Sequence, residues 1–447
     1  MKPVSFAVML LAASLCAAPA QAGKLVVHEW GTFTSLQDGK GGVVAGVNTD
    51  DEPVPSFVHS LGAIPNANSE MAPAFQAVTT KGGVPRLHPD VTIRLETPVM
   101  YFYLPKGRKS LTTDVDVSFR GGWLTQYYPD AVCGTAAEDV SVQHLTAGTT
   151  GSLSWKGLVI GEGKNIPVTD ESVWLAPRHV RADPVSMPSG EAEQFLFYRG
   201  VGGAGTGDIP VTATQSKDGV ALQAKSVTAA WLADVRDDGT VALGTGTPVK
   251  GDIRFYPAFE AKDYTAKNAA ALKAALRRAL VGAGLYEDEA AALLETWDRS
   301  YFKSPGERVF YIVPRRWVDA ALPLKISAPS KVTRVMVGRI ELVGPEQRQA
   351  LERMRAGAAG ASADFIRKAA TEVKNWPLFL DVQAGKKPVS ALGLDVPAIY
   401  RDYLSLGRFR DAILLEENRE NPSLSLAAFI RDAQIGMYDI PADRIAR

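Results

Sequence analysis

The chain is poor in the residues that ordinarily staple or metallate a protein, with two cysteines and five histidines in 447 residues. Cys16 lies in the hydrophobic N-terminal segment, so Cys133 stands alone in the remainder, where neither an intramolecular disulfide nor a thiolate zinc cluster can form. A lone thiol without a paired histidine reads as a small buried hydrophobe. An excess of charge of one sign is also missing, since Lys and Arg number 49 and Asp and Glu 49, with no long block of either. Nucleic acid and an anionic membrane surface are therefore poor partners. Beyond the first 22 residues no apolar run is long enough to span a bilayer, so no transmembrane segment is expected once they are removed.

Residues 1–22 carry the pattern of an export signal. Lys2 is the only charge before Lys24, Val4 to Ala18 is apolar but short, and Ala20-Gln21-Ala22 offers the small residues a signal peptidase reads. A lipidated Cys16 would need a small residue where Leu15 stands, so ordinary cleavage after Ala22 is expected. The expected product, residues 23–447, is a soluble periplasmic or secreted protein large enough for two or three domains.

Residues 23–260 read as a β-sandwich-like region. Val115, Val117 and Phe119 alternate with Asp114, Asp116 and Ser118, which puts one apolar and one polar face on a strand. Further strands are expected at Leu25–Trp30, Thr92–Leu104, Leu153–Ile160 and Gln194–Arg199, and hairpins at the Asp218-Gly219 and Asp238-Gly239 turns. Thr34 to Arg86 lacks periodicity and reads as a functional loop or a poorly ordered insert. Residues 261–345 read as a helical pair with return strands. The first helix starts at Thr265 with Leu272, Leu276 and Leu280 on one face and ends at Gly282 and Gly284, and the second runs from Glu287 or Asp288 to Trp297. Return strands follow at Arg308–Val313 and Lys331–Val343. Residues 346–447 read as mainly helical, including Glu346–Arg355 and Ala363–Trp376. The expected fold class is thus β-rich α+β: an antiparallel sandwich-like N-terminal region, an internal helical pair and a helical C-terminal segment.

Several catalytic signatures fail on context. Gly200, Gly202 and Gly205 satisfy GxGxxG, but Thr206 to Val211 leads toward a strand instead of the helix a dinucleotide needs, leaving a flexible glycine loop as the reading. His28-Glu29 opens like a zincin motif, yet Thr32 stands where the second histidine belongs. A nucleophile elbow, a Walker A loop and an EF-hand are absent from the sequence. What remains is a constellation of His28, Glu29, Asp50, Asp51, Glu52 and His59. Imidazoles and carboxylates could together hold a divalent metal with an open water position, the acids alone could hold calcium, or the acids could form only a solvated loop. His88, His144 and His179 are scattered and read as structural. The aromatic runs Tyr101-Phe102-Tyr103 and Tyr127-Tyr128 fit either a sandwich core or a glycan-stacking face.

The segments His28-Glu29-Trp30-Gly31-Thr32-Phe33-Thr34-Ser35, Glu96-Thr97-Pro98-Val99-Met100-Tyr101-Phe102-Tyr103 and Glu193-Gln194-Phe195-Leu196-Phe197-Tyr198-Arg199-Gly200 resemble an uncharacterised family of secreted bacterial proteins. The resemblance implies export and membership of a group, with no activity attached. Where members carry histidines this chain has Asn48 and Thr49, which weakens a transition-metal reading. The function expected is an envelope-associated binding or interaction protein, its partner an envelope component or glycan. The rival is a metal-assisted extracytoplasmic hydrolase, with His28 and His59 as ligands and Glu29 or Asp51 as ligand or general base. A glycosidase built on two carboxylates that meet only in space is a third possibility.

Overall fold

The computed structural model describes residues 23–48, 54–61, 79–80, 84–85, 87–136, 144–224, 226–244, 253–366, 391, 393 and 395–436. Two sheets and a layer of helices make a β-rich α+β fold with a sandwich at its centre.

Twelve strands carry the argument: β1 (Leu25–Gln37), β2 (His59–Ser60), β3 (Ile93–Tyr103), β4 (Leu111–Arg120), β5 (Gly122–Tyr128), β6 (Thr150–Ile160), β7 (Leu196–Gly202), β8 (Ala230–Val235), β9 (Val241–Gly244), β10 (Gly306–Ile312), β11 (Leu324–Ile326) and β12 (Ser330–Leu342). The main sheet has ten strands in the order β9-β8-β10-β12-β1-β3-β7-β5-β2, with Val43–Val44 beside the end of β1. Its pairings are antiparallel except one, in which β1 and β12 run parallel in unbroken register from Leu25↔Ser330 to Gln37↔Leu342. The sheet is continuous across the helices that follow residue 260, because β8 pairs with β10. The second sheet contains β6, β4 and β11, and Val211–Ser216, Gly219–Ala224 and Ile253–Pro257 form a third.

Alternation along β1 decides what each face meets. Leu25, Val27 and Phe33 point into the sandwich and share a core with Val115, Val117, Phe119, Leu153 and Trp155 of the second sheet. Trp30 points the other way, under α2 (Ala266–Gly282) and α3 (Glu287–Thr296), whose Leu272, Leu276, Leu280 and Leu293 are fully buried. In chain order the other helices are α1 (Ser172–Arg178), α4 (Asp298–Phe302), α5 (Arg315–Ala321), α6 (Pro345–Ala356), α7 (Ala398–Ser405), α8 (Arg410–Glu420) and α9 (Leu424–Asp432). The last four helices of the described chain cover Leu36, Trp123 and Val201. Among the described residues no helix is long and apolar enough to cross a membrane.

Two expectations are corrected. The irregular segment does not begin at Thr34, because β1 continues to Gln37 with Thr34 bonded into both neighbouring strands. Gly200 and Gly202 belong to strand β7: a Cβ on Gly200 would lie 2.3 Å from the Trp123 carbonyl oxygen and one on Gly202 2.6 Å from Thr206 Oγ1, so close packing by neighbouring backbone and side chains, and not loop flexibility, calls for glycine. Described pairings within the N-terminal region are antiparallel, as expected, and the one parallel pairing brings in β12 from beyond it. Most of the helix expected at Ala363–Trp376 falls outside the described residues.

Gly31 has an equally local reason. The β1–β3 register shifts between Trp30 and Thr32, where β3 carries an extra residue at Thr97 and Pro98, with Thr97 at φ +45°. A Cβ on Gly31 would meet Pro98 Cα at 3.0 Å and Met336 Sδ at 3.1 Å.

Candidate functional site

The site begins with the strand parity that separates His28 from Glu29. Glu29 faces the sandwich interior, fully buried, where Arg334 of β12 and the Tyr198 hydroxyl of β7 hydrogen-bond its two oxygens. Burial acts to lower the Arg334 pKa, but the Glu29 carboxylate together with Tyr198 and Asp319 outweighs it and the guanidinium ends above its ordinary value. Burial and the same carboxylate raise Tyr198. With both oxygens engaged and no exposure, Glu29 is a structural ion-pair partner and not a base open to substrate.

His28 faces the helical layer. Its Nδ1 lies 2.8 Å from Glu289 Oε2 and 3.1 Å from Oε1. Glu289 stands there because it is the third residue of α3 and accepts the Tyr286 backbone N–H at 2.6 Å, one of the donors a helix start leaves open. It also accepts the Tyr103 hydroxyl at 2.6 Å. Burial first, and then this hydrogen bond to a carboxylate, push the Tyr103 phenol well above its ordinary range. A carboxylate that accepts from all three donors holds a proton on His28 Nδ1 and fixes the ring's orientation, with Nε2 turned away from the carboxylate. Among the described residues no group hydrogen-bonds that nitrogen.

Two tyrosine rings frame the imidazole. Tyr286 packs on it at 4.5 Å between centroids and Tyr103 meets it edge-on at 5.5 Å. His28 is only 4% exposed while Tyr286 is 46% exposed, so a surface ring lies over a buried, oriented base. Asp288, next to Glu289, pairs with Arg181 at 3.5 Å on the same rim. No protein-family model matches this chain, and no curated protein matches it.

His59 sits elsewhere. On β2, four strand spacings from β1 in the main sheet and so about 19 Å away, it holds both Glu191 oxygens at 3.0 Å through Nε2 and stacks on Tyr127 at 5.3 Å. The structure does not bring His28 and His59 to one metal, and Glu29 is on the opposite face from His28. Asp50, Asp51 and Glu52 lie outside the described residues. Carboxylates do converge at Asp38, Glu416 and Glu420, within 4.8 Å of one another, but this is a surface group already paired with Lys40 and Arg419. Cys133 is half-buried, and burial raises its thiol pKa, which disfavours a nucleophilic thiolate.

A second polar feature was not singled out from sequence. Arg94 and Glu96 on β3, and Arg339 and Glu341 on β12, flank Thr34 of β1 on the helix-covered face. Arg94 pairs with Glu96 at 2.8 Å, Thr34 donates to Glu96 at 2.9 Å, and Arg408 reaches Glu96 from the loop after α7. Arg308 pairs with Glu341 at 3.3 Å and donates to the Ser300 and Tyr301 carbonyls of α4. Burial presses the Arg308 pKa down to about 10, with Glu341 opposing and Arg339 adding to the shift. The sequence signal was an Arg-x-Glu pair inside two apolar strands.

Proposed function

We propose that the protein is an exported binding protein and that its ligand is a glycan of the cell envelope, taken at the rim formed by Tyr286, Tyr103 and His28. The observation that carries this reading is the exposed Tyr286 ring packed on a histidine whose orientation Glu289 fixes. An open aromatic face accepts the C–H face of a sugar, and fixed polar groups beside it discriminate hydroxyl positions. His28 Nε2 and the Arg181–Asp288 pair supply polar contacts at the edge. Export follows from the leader pattern and belongs to the same proposal.

The test is calorimetric titration of the purified chain with soluble peptidoglycan fragments and other envelope polysaccharides. Saturable binding that Tyr286→Ala weakens about fivefold or more and Tyr286→Phe retains supports the reading, since a lost stacking partner is worth roughly 1 kcal/mol or more. Flat titrations across the panel overturn it. The hydrolase reading keeps one supporting observation, because an imidazole held at Nδ1 by a buried carboxylate is also the usual form of a metal-ligating or proton-accepting histidine. Near-stoichiometric metal that His28→Ala removes from a folded protein favours that reading instead.

A further inference from the structure

Strand parity continues the Tyr286 rim onto an uncovered strip of the main sheet. β1 stands between β12 and β3, and residues in register point to one face, so the helix side of the sheet is built in rows. Val335, Trp30 and Val99 make a row sealed beneath α2 and α3. Thr333, His28 and Tyr101 make the next, and Lys331, Val26 and Tyr103 the one after. Burial falls off in that direction: Trp30 is 0% exposed and His28 4%, whereas Val26 and Tyr103 are half-buried and Lys331 is exposed.

The turn between α2 and α3 marks where the cover stops. Gly284, at φ +114°, closes α2 with its N–H donating to the Val281 carbonyl, and it lies so near β12 that a Cβ there would be 3.1 Å from Thr333 Cγ2. Two residues on, Tyr286 packs on His28 and meets Tyr103 edge-on at 5.1 Å. The sheet beyond is a shelf whose floor is Val26 and Tyr103 and whose wall is the Tyr286 ring.

The shelf also has an unmet cation. The carboxylates beside it are engaged, Glu289 by His28, Tyr103 and the Tyr286 N–H, and Asp288 by Arg181. The Lys331 side chain has no ion-pair or hydrogen-bond partner among the described residues, and neither has the Thr333 hydroxyl. The two stand about 6.6 Å apart along β12, within the span of a lysine side chain, so an ammonium and a hydroxyl can meet the two oxygens of one carboxylate.

We propose that the ligand of this rim is an acidic glycan, with a sugar carboxylate held by Lys331 and Thr333 while the ring rests on Val26 and Tyr103 against Tyr286. The proposal rests on the glycan reading of the rim and adds the charge of the sugar to it.

Calorimetric titration of the full chain at low salt with tetragalacturonate and with its methyl ester, which has the same rings and no charge, tests this. The acid should bind about three- to fivefold more tightly than the ester, as an exposed ion pair allows, and Lys331→Gln should bring the two to equal affinity. Thr333→Val, which keeps the shape, should weaken the acid about fivefold, the worth of one hydrogen bond. Equal affinities for acid and ester in the parent, both weakened by Tyr286→Ala, overturn the acidic specificity and leave the glycan reading standing. A preference for the acid that Lys331→Gln leaves intact overturns the role given to β12. Flat titrations with both probes overturn the proposal, and the glycan reading falls with it only where the other envelope polysaccharides are flat as well.

Discussion

Asp234 and Glu307 face each other across β8 and β10, both nearly buried, with the Tyr264 hydroxyl donating to Asp234 at 2.6 Å and Gln215 Nε2 donating to Glu307 at 2.6 Å. Burial, and then the neighbouring Asp234 carboxylate, raise the Glu307 pKa to about 7, while burial also raises Asp234. The folded state therefore holds the Glu307 proton more tightly than the unfolded chain does. Its contribution to stability is complete below the unfolded carboxyl range near 4.5 and is lost as pH rises through about 7. A rise of that size corresponds to about 3 kcal/mol of folding free energy, an upper figure because the pair can relax. Glu307→Gln keeps an oxygen to accept from Gln215 and has no charge to desolvate. It should leave stability at pH 4 nearly unchanged and raise it at pH 9 by about 2–3 kcal/mol. Urea denaturation of both proteins at a series of pH values measures this directly. A difference that is the same at pH 4 and pH 9, or a variant less stable than the parent at pH 9, refutes the argument.

Arg334→Met strands Glu29 inside the sandwich and should destabilise by about 3–5 kcal/mol, whereas the double change Glu29→Leu with Arg334→Met should recover most of the loss; urea midpoints of the two variants decide it. Gly31→Val drives new atoms into Pro98 and Met336 and should cost about 1–3 kcal/mol, read as a fall in melting temperature; an unchanged value would mean the bulge yields freely.

What could be read from sequence is what local periodicity encodes. Leu272, Leu276 and Leu280 spell out α2, and Gly219 and Gly239 supply the positive φ values at the two hairpin turns. Thr265 does precede the helix, although its backbone pairs with Val241 and its hydroxyl caps nothing. The partner of His28 was beyond reach, because Glu289 is 261 residues away and is placed by a helix start. Glu29 looked like a companion of His28 only because neighbours in sequence are opposites in a strand. The Arg94, Glu96, Arg339 and Glu341 set was hidden by the same alternation, since charge on every second residue ordinarily marks a wet face and here marks a covered one. His59 gave no hint of Glu191, which the fold supplies from 132 residues away.

The parallel union of β1 with β12 sets the order in which this protein can assemble. The first of the described strands occupies the middle of the main sheet, and the Glu29–Arg334 contact that locks it spans 305 positions. Until residue 342 is available, one long edge of β1 has no neighbour, and neither β10 nor the β8–β9 hairpin beyond it has a sheet to join. Such distant pairing makes folding slow and leaves an apolar edge open to other chains in the meantime. A nascent chain cut short before β12 should therefore aggregate instead of forming a smaller stable domain.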